Sequence, residues 1–235
     1  MEPHPPTAER VTKRTLVLMA VAGRALLEML VQQGHSEVAE NLPRLRQWIE
    51  DMDIRSECEP EEWERIIAPT GSLSEQDLTD SVWRLEGIAV LAWSLGLRDL
   101  HRYDTLADAD DLFAELGFLD PDRGRAQIEG AVRCPERELS LMGNQILAFH
   151  WRMRDYSLKR VAMDFIEFGK NCWFGPIELD WAEIAEGDLA LAGNPISKAP
   201  NEVISQCMSS AMERHVAINW LKGCSELYSE TDAST

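Results

Sequence analysis

The sequence has few of the features that assign a chain to a class of enzyme. Its 235 residues contain five cysteines, an odd number, and no two of them lie close together. A zinc ribbon or a dithiol redox motif needs a close pair, and a disulfide framework needs an even number in a short chain. We therefore expect reduced, mostly packed thiols and a cytoplasmic protein.

Other catalytic signatures are missing as well. No Gly-rich phosphate loop precedes a helix, no Ser stands in a nucleophile-elbow setting, and no two His occur at metal-ligand spacing on one helix. The sequence thus predicts no cofactor and no metal. His150, His215 and Glu86 would form a metal site only if three separate helices converged, and nothing in their spacing requires that.

Positive charge is scarce, since 23 Lys and Arg face 41 Asp and Glu for a formal net charge of −18. A nucleic-acid backbone and an anionic membrane would both be repelled, so we expect neither as a partner. A basic protein would be attracted. The other explanation is that the acidity only keeps the protein soluble.

Long apolar runs are also few. Lys13-Arg14 and the apolar residues 16–22 resemble a secretory signal, but an amphipathic pattern continues through Arg24 and Glu28, which are spaced to pair at i,i+4. This pattern predicts a helix of the mature protein. The run itself is too short for a membrane span, which needs about 20 apolar residues.

One apolar segment, residues 80–96, is predicted to be the helix around which the chain folds. Its second half carries no charge and is apolar on every side, so other elements must surround it. Ser74 and Asp77 predict the start of the helix through a capping box, and Gly96 predicts its end. Glu86 is the only ionised group well inside the apolar part.

Helical steps place Glu86 on one face with two indoles and two valines. An unpaired carboxylate there would be costly or would have a raised pKa, so we expect a cationic partner from another helix. Arg14 and Arg24 of the first helix are the candidates. Glu86 is then either half of a structural ion pair or a functional acid.

Apolar periodicity and helix-end signals predict a mainly α fold. The predicted helices cover residues 8–33, 36–51, 60–67, 74–96, 108–116, 135–157, 159–171 and 200–222, and residues 120–134 remain ambiguous. We expect a single-domain bundle of roughly seven to eight helices, with at most a short β-hairpin near residues 186–197. Residues 1–7 are a flexible lead-in, 8–224 the domain, and 225–235 a polar tail, frayed or laid across the domain.

The last helix contains a second unusual group of polar residues. Helical steps place His215 and Asn219 on an apolar strip with Met208 and Met212, while Glu213 and Arg214 point toward the side of Trp220 and Ala217. Buried polar groups need partners. His215 is therefore either satisfied by a neighbouring helix or in contact with a ligand.

Several stretches together resemble a known bacterial family. They are residues 14–16, 83–96, 186–196, 213–223 and 228–232, with the Glu-Arg-His, Asn-Trp-Leu and Thr-Asp combinations as the most specific parts. These residues are similar to the domain of unknown function family 4272. The resemblance implies a bacterial, mostly helical, single-domain protein, and it implies no catalytic residues because the family has no assigned activity.

Two functional hypotheses follow. The first is a binding protein that uses its acidic surface, such as an inhibitor of a basic partner protein. The second is a small-molecule enzyme or ligand-binding domain with a pocket formed by Glu86, His150, Arg154, His215 and Asn219. There Glu86 and His215 would share acid and base roles, Arg154 would hold an anion, and Asn219 would orient the His. The sequence predicts no oligomeric state.

Overall fold

The computed structural model describes residues 4–172, 175–177 and 179–235, and this part of the chain is mainly α. Its helices are α1 (Ala8–Gln32), α2 (Asn41–Asp51), α3 (Pro60–Ile67), α4 (Glu75–Ser94), α5 (Ala109–Leu116), α6 (Pro121–Gly130), α7 (Glu136–Lys159), α8 (Phe165–Asn171) and α9 (Asn201–Leu221). The mainly α prediction is confirmed. The described residues hold one helix more than predicted, because the ambiguous segment 120–134 forms α6.

The predicted boundaries of α4 are confirmed by its capping geometry. Ser74 Oγ accepts a hydrogen bond from the Asp77 amide at 3.1 Å, and the Asp77 carboxylate accepts from the Ser74 amide at 3.3 Å. Two amide donors at the helix start are thereby satisfied. Gly96 follows the helix with φ of 66°, a left-handed conformation that glycine adopts without a steric cost.

The main core is built around two helices, α1 and α4. All residues from Arg14 to Ala25 of α1 are buried, as are residues 85–92 of α4. Each fully buried Leu or Val contributes about 1.5–3 kcal/mol, so this helix pair contributes a large part of the stability. The expectation of a single central helix is therefore incomplete, because α1 is buried as deeply as α4.

By length and composition alone, α1 is long and apolar enough to cross a membrane, with a mean hydropathy of 1.6 over its most apolar window. The expectation that this segment is too short is thus wrong for the whole helix. However, 67% of that window is buried inside the structure. The core helix of a soluble protein and a signal sequence both pass the same test.

The strands form a small antiparallel sheet in the order β1 (Ile184–Ala185), β2 (Asp188–Leu191) and β3 (Asn194–Pro195). Each connection has two residues with positive φ, of which the second is glycine: Glu186-Gly187 and Ala192-Gly193. This is the geometry of tight hairpin turns that match the twist of the strands. The hairpin predicted near 186–197 is confirmed, and β1 extends it by one short strand.

The predicted helix 159–171 is shorter in the structure. Arg160 has φ of 50° and ends α7, and α8 begins only after Asp164, whose side chain caps the Glu167 amide at 2.9 Å. The intervening chain is anchored by the fully buried Arg152, which donates hydrogen bonds to the Val161 carbonyl at 3.1 Å and to Asp188 of β2 at 2.8 and 2.6 Å. Arg152 therefore connects α7, the sheet and this connecting segment.

A second hydrophobic core lies between α7, α8, the sheet and α9. Helix α9 belongs to both cores: Ile204, Cys207 and Ala211 pack in the second core, and Ile218 and Leu221 in the main one. At the N-terminus, residues 1–3 of the predicted lead-in lie outside the described residues. Pro6 is buried, and its carbonyl accepts a hydrogen bond from Arg133 at 2.5 Å.

Candidate functional site

Glu86 is buried, and its carboxylate accepts hydrogen bonds from one arginine, one hydroxyl and one backbone amide. One carboxylate oxygen accepts from Arg214 Nε at 2.7 Å and from Ser210 Oγ at 2.8 Å, and the other accepts from the Ala107 amide at 2.7 Å. The Glu86 and Arg214 side chains are each 3% exposed. The cationic partner is therefore on α9.

The predicted partners of Glu86 are wrong, because both arginines of α1 pair elsewhere. Arg14 makes an ion pair of 2.8 Å with Glu62 and also contacts Glu57 and Glu59. Arg24 pairs with Glu28 at 2.8 Å, one turn along the same helix, and both side chains are buried. The i,i+4 pairing expected for Arg24 is thereby confirmed.

Arg214 also fastens the chain that follows α4. Its Nη1 donates to the carbonyls of His101 and Arg102 at 3.3 and 3.2 Å, and its Nη2 donates to the carbonyl of Thr105 at 2.7 Å. All three guanidinium nitrogens are thus occupied, and no lone charge is left for a ligand. The geometry makes Glu86 and Arg214 a structural pair that positions residues 101–107.

The buried face of α9 differs from the predicted one. Met212 is 47% exposed, and Met208 and Asn219 are only half-buried, whereas Glu213 and Arg214 are buried. These two charged residues do lie away from Met208 and Met212, on the side of Ala217 and Trp220, and that side is the buried one. Glu213 pairs with Arg84 at 3.0 Å; its burial raises the pKa of its carboxyl group, and the Arg84 charge partly offsets that rise.

His150 and His215 do meet, as the pocket hypothesis requires. Their Nδ1 atoms lie 3.0 Å apart, their rings are nearly perpendicular, and each residue is 4% exposed. One neutral ring must donate its Nδ1–H and the other must accept it. Burial, together with the charges of His215 and Arg154, lowers the pKa of His150 to about 4. The pair is therefore neutral at physiological pH.

The polar tail is laid across the domain and contacts the same two polar residues of α9. Asn219 Nδ2 donates to the Asp232 carbonyl at 2.9 Å, and the backbone of Ala233 lies beside the His215 ring. Burial lowers the pKa of His215, and the contact with Ala233 partly opposes this effect. The partners of His215 and Asn219 are thus parts of the protein itself.

Tyr228 anchors this tail. Glu59 accepts hydrogen bonds from the amides of Tyr228 and Ser229, at 2.7 and 3.1 Å. The Tyr228 ring lies under the guanidinium groups of Arg14 and Arg84, 5.9 and 5.6 Å from its centroid. The hydroxyl is buried and has no hydrogen-bond partner among the described residues.

This arrangement depends on Gly87, and it gives a first prediction. A Cβ at residue 87 would overlap the Tyr228 hydroxyl, so Gly87→Ala is expected to destabilise the protein by about 1–3 kcal/mol in urea unfolding. Tyr228→Phe removes a hydroxyl that has no partner among the described residues and should be nearly neutral. When Gly87→Ala is combined with Tyr228→Phe, its cost should fall by at least half. An unchanged cost would show that the overlap is not its cause.

None of the five predicted pocket residues lines the pocket that contains Arg214. This pocket lies between α7, the segment after α4 and the chain around Trp181, with Arg214 of α9 in its wall. Arg154 is exposed and lies near His150 and Asp232. No group of three His, Cys, Asp or Glu side chains within the described ranges could hold a metal ion, so Glu86 does not join the histidine pair in a ligand set.

A family model described as "Domain of unknown function (DUF4272)" matches residues 1–165. The chain belongs to this family. The matched part includes the stretches 14–16 and 83–96, whereas the C-terminal stretches that also suggested the family lie beyond it. A comparison with curated proteins and one with solved structures each found no match.

The DUF4272 region supplies half of each polar pair. Glu86, His150 and Glu59 lie within the matched residues, and their partners Arg214, His215 and Tyr228 lie beyond residue 165. One sequence signal could have identified Arg214. Cys207, Ala211, Arg214, Ile218 and Leu221 are spaced by four and three residues, a core stripe with one arginine in it.

Proposed function

We propose that this protein is a cytoplasmic, bacterial binding protein whose acidic surface captures a basic partner protein, as an inhibitor does. The observation that supports this is a face on α3 and the first turns of α4, which we call the acidic face. Its carboxylates without a cationic partner among the described residues are Glu61, Glu64, Glu75 and Asp80. The arginines nearest to them in sequence are already paired, Arg65 with Asp77 at 3.2 Å and Arg84 with Glu213 at 3.0 Å.

Two hollows flank this part of α4. One, of about 370 Å³, is lined by six residues: Glu61, Glu64, Arg65, Ala68, Leu73 and Asp77. The other, of about 520 Å³, lies between the end of α1 and α4 and is mainly apolar, with Val82 and Trp83 in its wall. A partner with a basic side and an apolar side can fill both, as an amphipathic helix fills a groove.

The rest of the surface adds long-range attraction. Among the described residues, exposed carboxylates outnumber exposed Lys and Arg side chains. The summed negative potential raises the association rate of a basic partner and falls with added salt. Binding at the acidic face should therefore depend on ionic strength.

The experiment compares two variants that lose the same amount of negative charge at different places on the surface. The probe is a Lys/Leu amphipathic helical peptide, with a scrambled peptide of the same composition as its control. The triple variant Glu61→Lys, Glu64→Lys, Asp80→Lys is compared with Glu129→Lys, Glu136→Lys, Glu138→Lys, which changes the net charge equally on exposed residues of α6 and α7.

We expect the amphipathic peptide to bind more tightly than the scrambled one. The first triple variant should raise its Kd at least about tenfold, and the second by no more than about threefold, because only the first alters local contacts. Backbone amide shifts should map to α3 and α4. Equal weakening by both triples, or equal binding of both peptides, would mean that net charge alone attracts them and would reject the docking face.

The alternative, a small-molecule function, needs a different site from the predicted one. Glu86 and Arg214 satisfy each other, and the histidine pair is closed by the tail. The described pocket that contains Arg214 favours ligand binding, since its described wall is mostly apolar.

A further inference from the structure

A separate pocket of about 160 Å³ lies between α7, the segment after α4 and the chain around Trp181. Its wall is mostly apolar and carries three aromatic rings, from Tyr103, Phe149 and Trp181. Met142 and Gln145 of α7 also line it. The pocket is on a different part of the molecule from the acidic face, and binding there would be independent of the function proposed above.

The walls of this pocket are held in place by the fold. Tyr103 packs against Phe149 and Trp181 at centroid distances of 4.9 and 5.3 Å, and its hydroxyl donates to the Ala190 carbonyl at 2.6 Å. Arg214 fastens the backbone on either side of Tyr103 through the contacts described above. A preformed pocket binds with little ordering cost.

The wall has no uncompensated charge. Arg214 is neutralised by Glu86, and Arg102 pairs with Asp104 and Glu183. Burial raises the pKa of Tyr103 to about 12, which keeps its hydroxyl neutral. An anionic or cationic ligand would therefore lose its hydration without gaining a free partner.

One polar group in the wall is free to bind. Gln145 is half-buried, and its side-chain amide makes no hydrogen bond to any residue that the structure describes. An amide can both donate and accept. A ligand with one hydroxyl or N–H group would satisfy it.

We propose that this pocket binds a small neutral aromatic molecule with one hydrogen-bonding group, its ring against Tyr103, Phe149 and Trp181 and its polar atom on Gln145. The volume supports this size, because an apolar cavity of about 150 Å³ accommodates benzene. The ligand is thus one six-membered ring of the phenol class.

The test uses phenol and toluene, which differ by the hydroxyl group. Binding is followed by NMR through the shifts of the Trp181 indole N–H and the Gln145 amide. We expect a phenol Kd on the order of 1 mM. Gln145→Leu should weaken phenol about fivefold and change toluene less than about twofold, since only phenol uses the amide.

A second pair of variants tests the location. Met142→Trp fills the pocket and should abolish binding of both compounds, whereas Leu141→Trp, on the neighbouring exposed residue of α7, should leave both unchanged. Thermal unfolding checks that each variant is folded. If Met142→Trp does not fold, the comparison of phenol and toluene in Gln145→Leu still decides the question. No saturable phenol shifts at tens of millimolar, or equal loss of phenol and toluene in Gln145→Leu, would overturn the proposal.

Discussion

Replacing Arg214 with methionine is expected to lower the free energy of unfolding by about 3–5 kcal/mol. The substitution leaves the Glu86 carboxylate buried with only Ser210 and the Ala107 amide as partners. It also removes the donors to three backbone carbonyls of residues 101–105. Urea unfolding followed by circular dichroism measures the loss directly.

The control for this prediction is an ion pair of similar geometry near the surface. Arg65 and Asp77 lie 3.2 Å apart with side chains 23% and 35% exposed, so Arg65→Met should cost less than about 1 kcal/mol. The double variant Glu86→Met, Arg214→Met should lose about 1–3 kcal/mol less than the sum of the single variants, because no charge stays buried alone. Additive losses would show that the two side chains do not act as a pair.

The same pair shows where sequence reasoning succeeds and where it stops. The capping box of Ser74 and Asp77 and the pairing of Arg24 with Glu28 are predictable, because both depend on residues within one helical turn. The need of Glu86 for a cation is also predictable from the face it occupies. Which cation supplies it is not, since Arg214 is 128 residues away.

The position of α9 explains why its buried face was predicted wrongly. Residues 213–215 and 217–218 and Trp220 are all buried, so the helix is covered on most sides and has no single apolar stripe. Its two methionines favour the strip through Met208 and Met212 as the buried one, and that choice leaves Arg214 off the strip. A helix between two cores gives a weak periodic signal.

The sequence does not decide whether the tail is frayed or laid across the domain, for a related reason. Its polar composition is typical of a frayed terminus, and only Tyr228 indicates an anchor. The site for that anchor requires Gly87 of α4, Glu59 before α3 and Arg14 of α1 together. No local sequence pattern predicts that three positions so far apart in the chain come together.

The stability of the protein is expected to fall as the pH decreases from about 6.5 to about 4, and His150 is the reason. Burial lowers its pKa to about 4 in the folded protein, against about 6.5 in the unfolded chain. In that interval the unfolded state binds more protons, so lowering the pH favours unfolding. The full loss from this group is about 3 kcal/mol, and above about pH 7 its contribution is complete.

Other groups titrate in the same range, so the test is a difference between variants. Burial lowers the pKa of His215, which adds to the loss, and raises the pKa of Glu62 and of Glu213, which oppose it because the folded state takes up their protons first. His150→Asn keeps an N–H near the position of Nδ1 and cannot titrate. Between about pH 6.5 and 4 this variant should lose about 3 kcal/mol less than the wild type, whereas His35→Asn, on an exposed histidine, should follow the wild type. Parallel curves for wild type and His150→Asn would mean that the pKa of His150 is not lowered in the folded protein. The buried pair would then hold one additional proton, shared by His215 and His150 across the 3.0 Å contact.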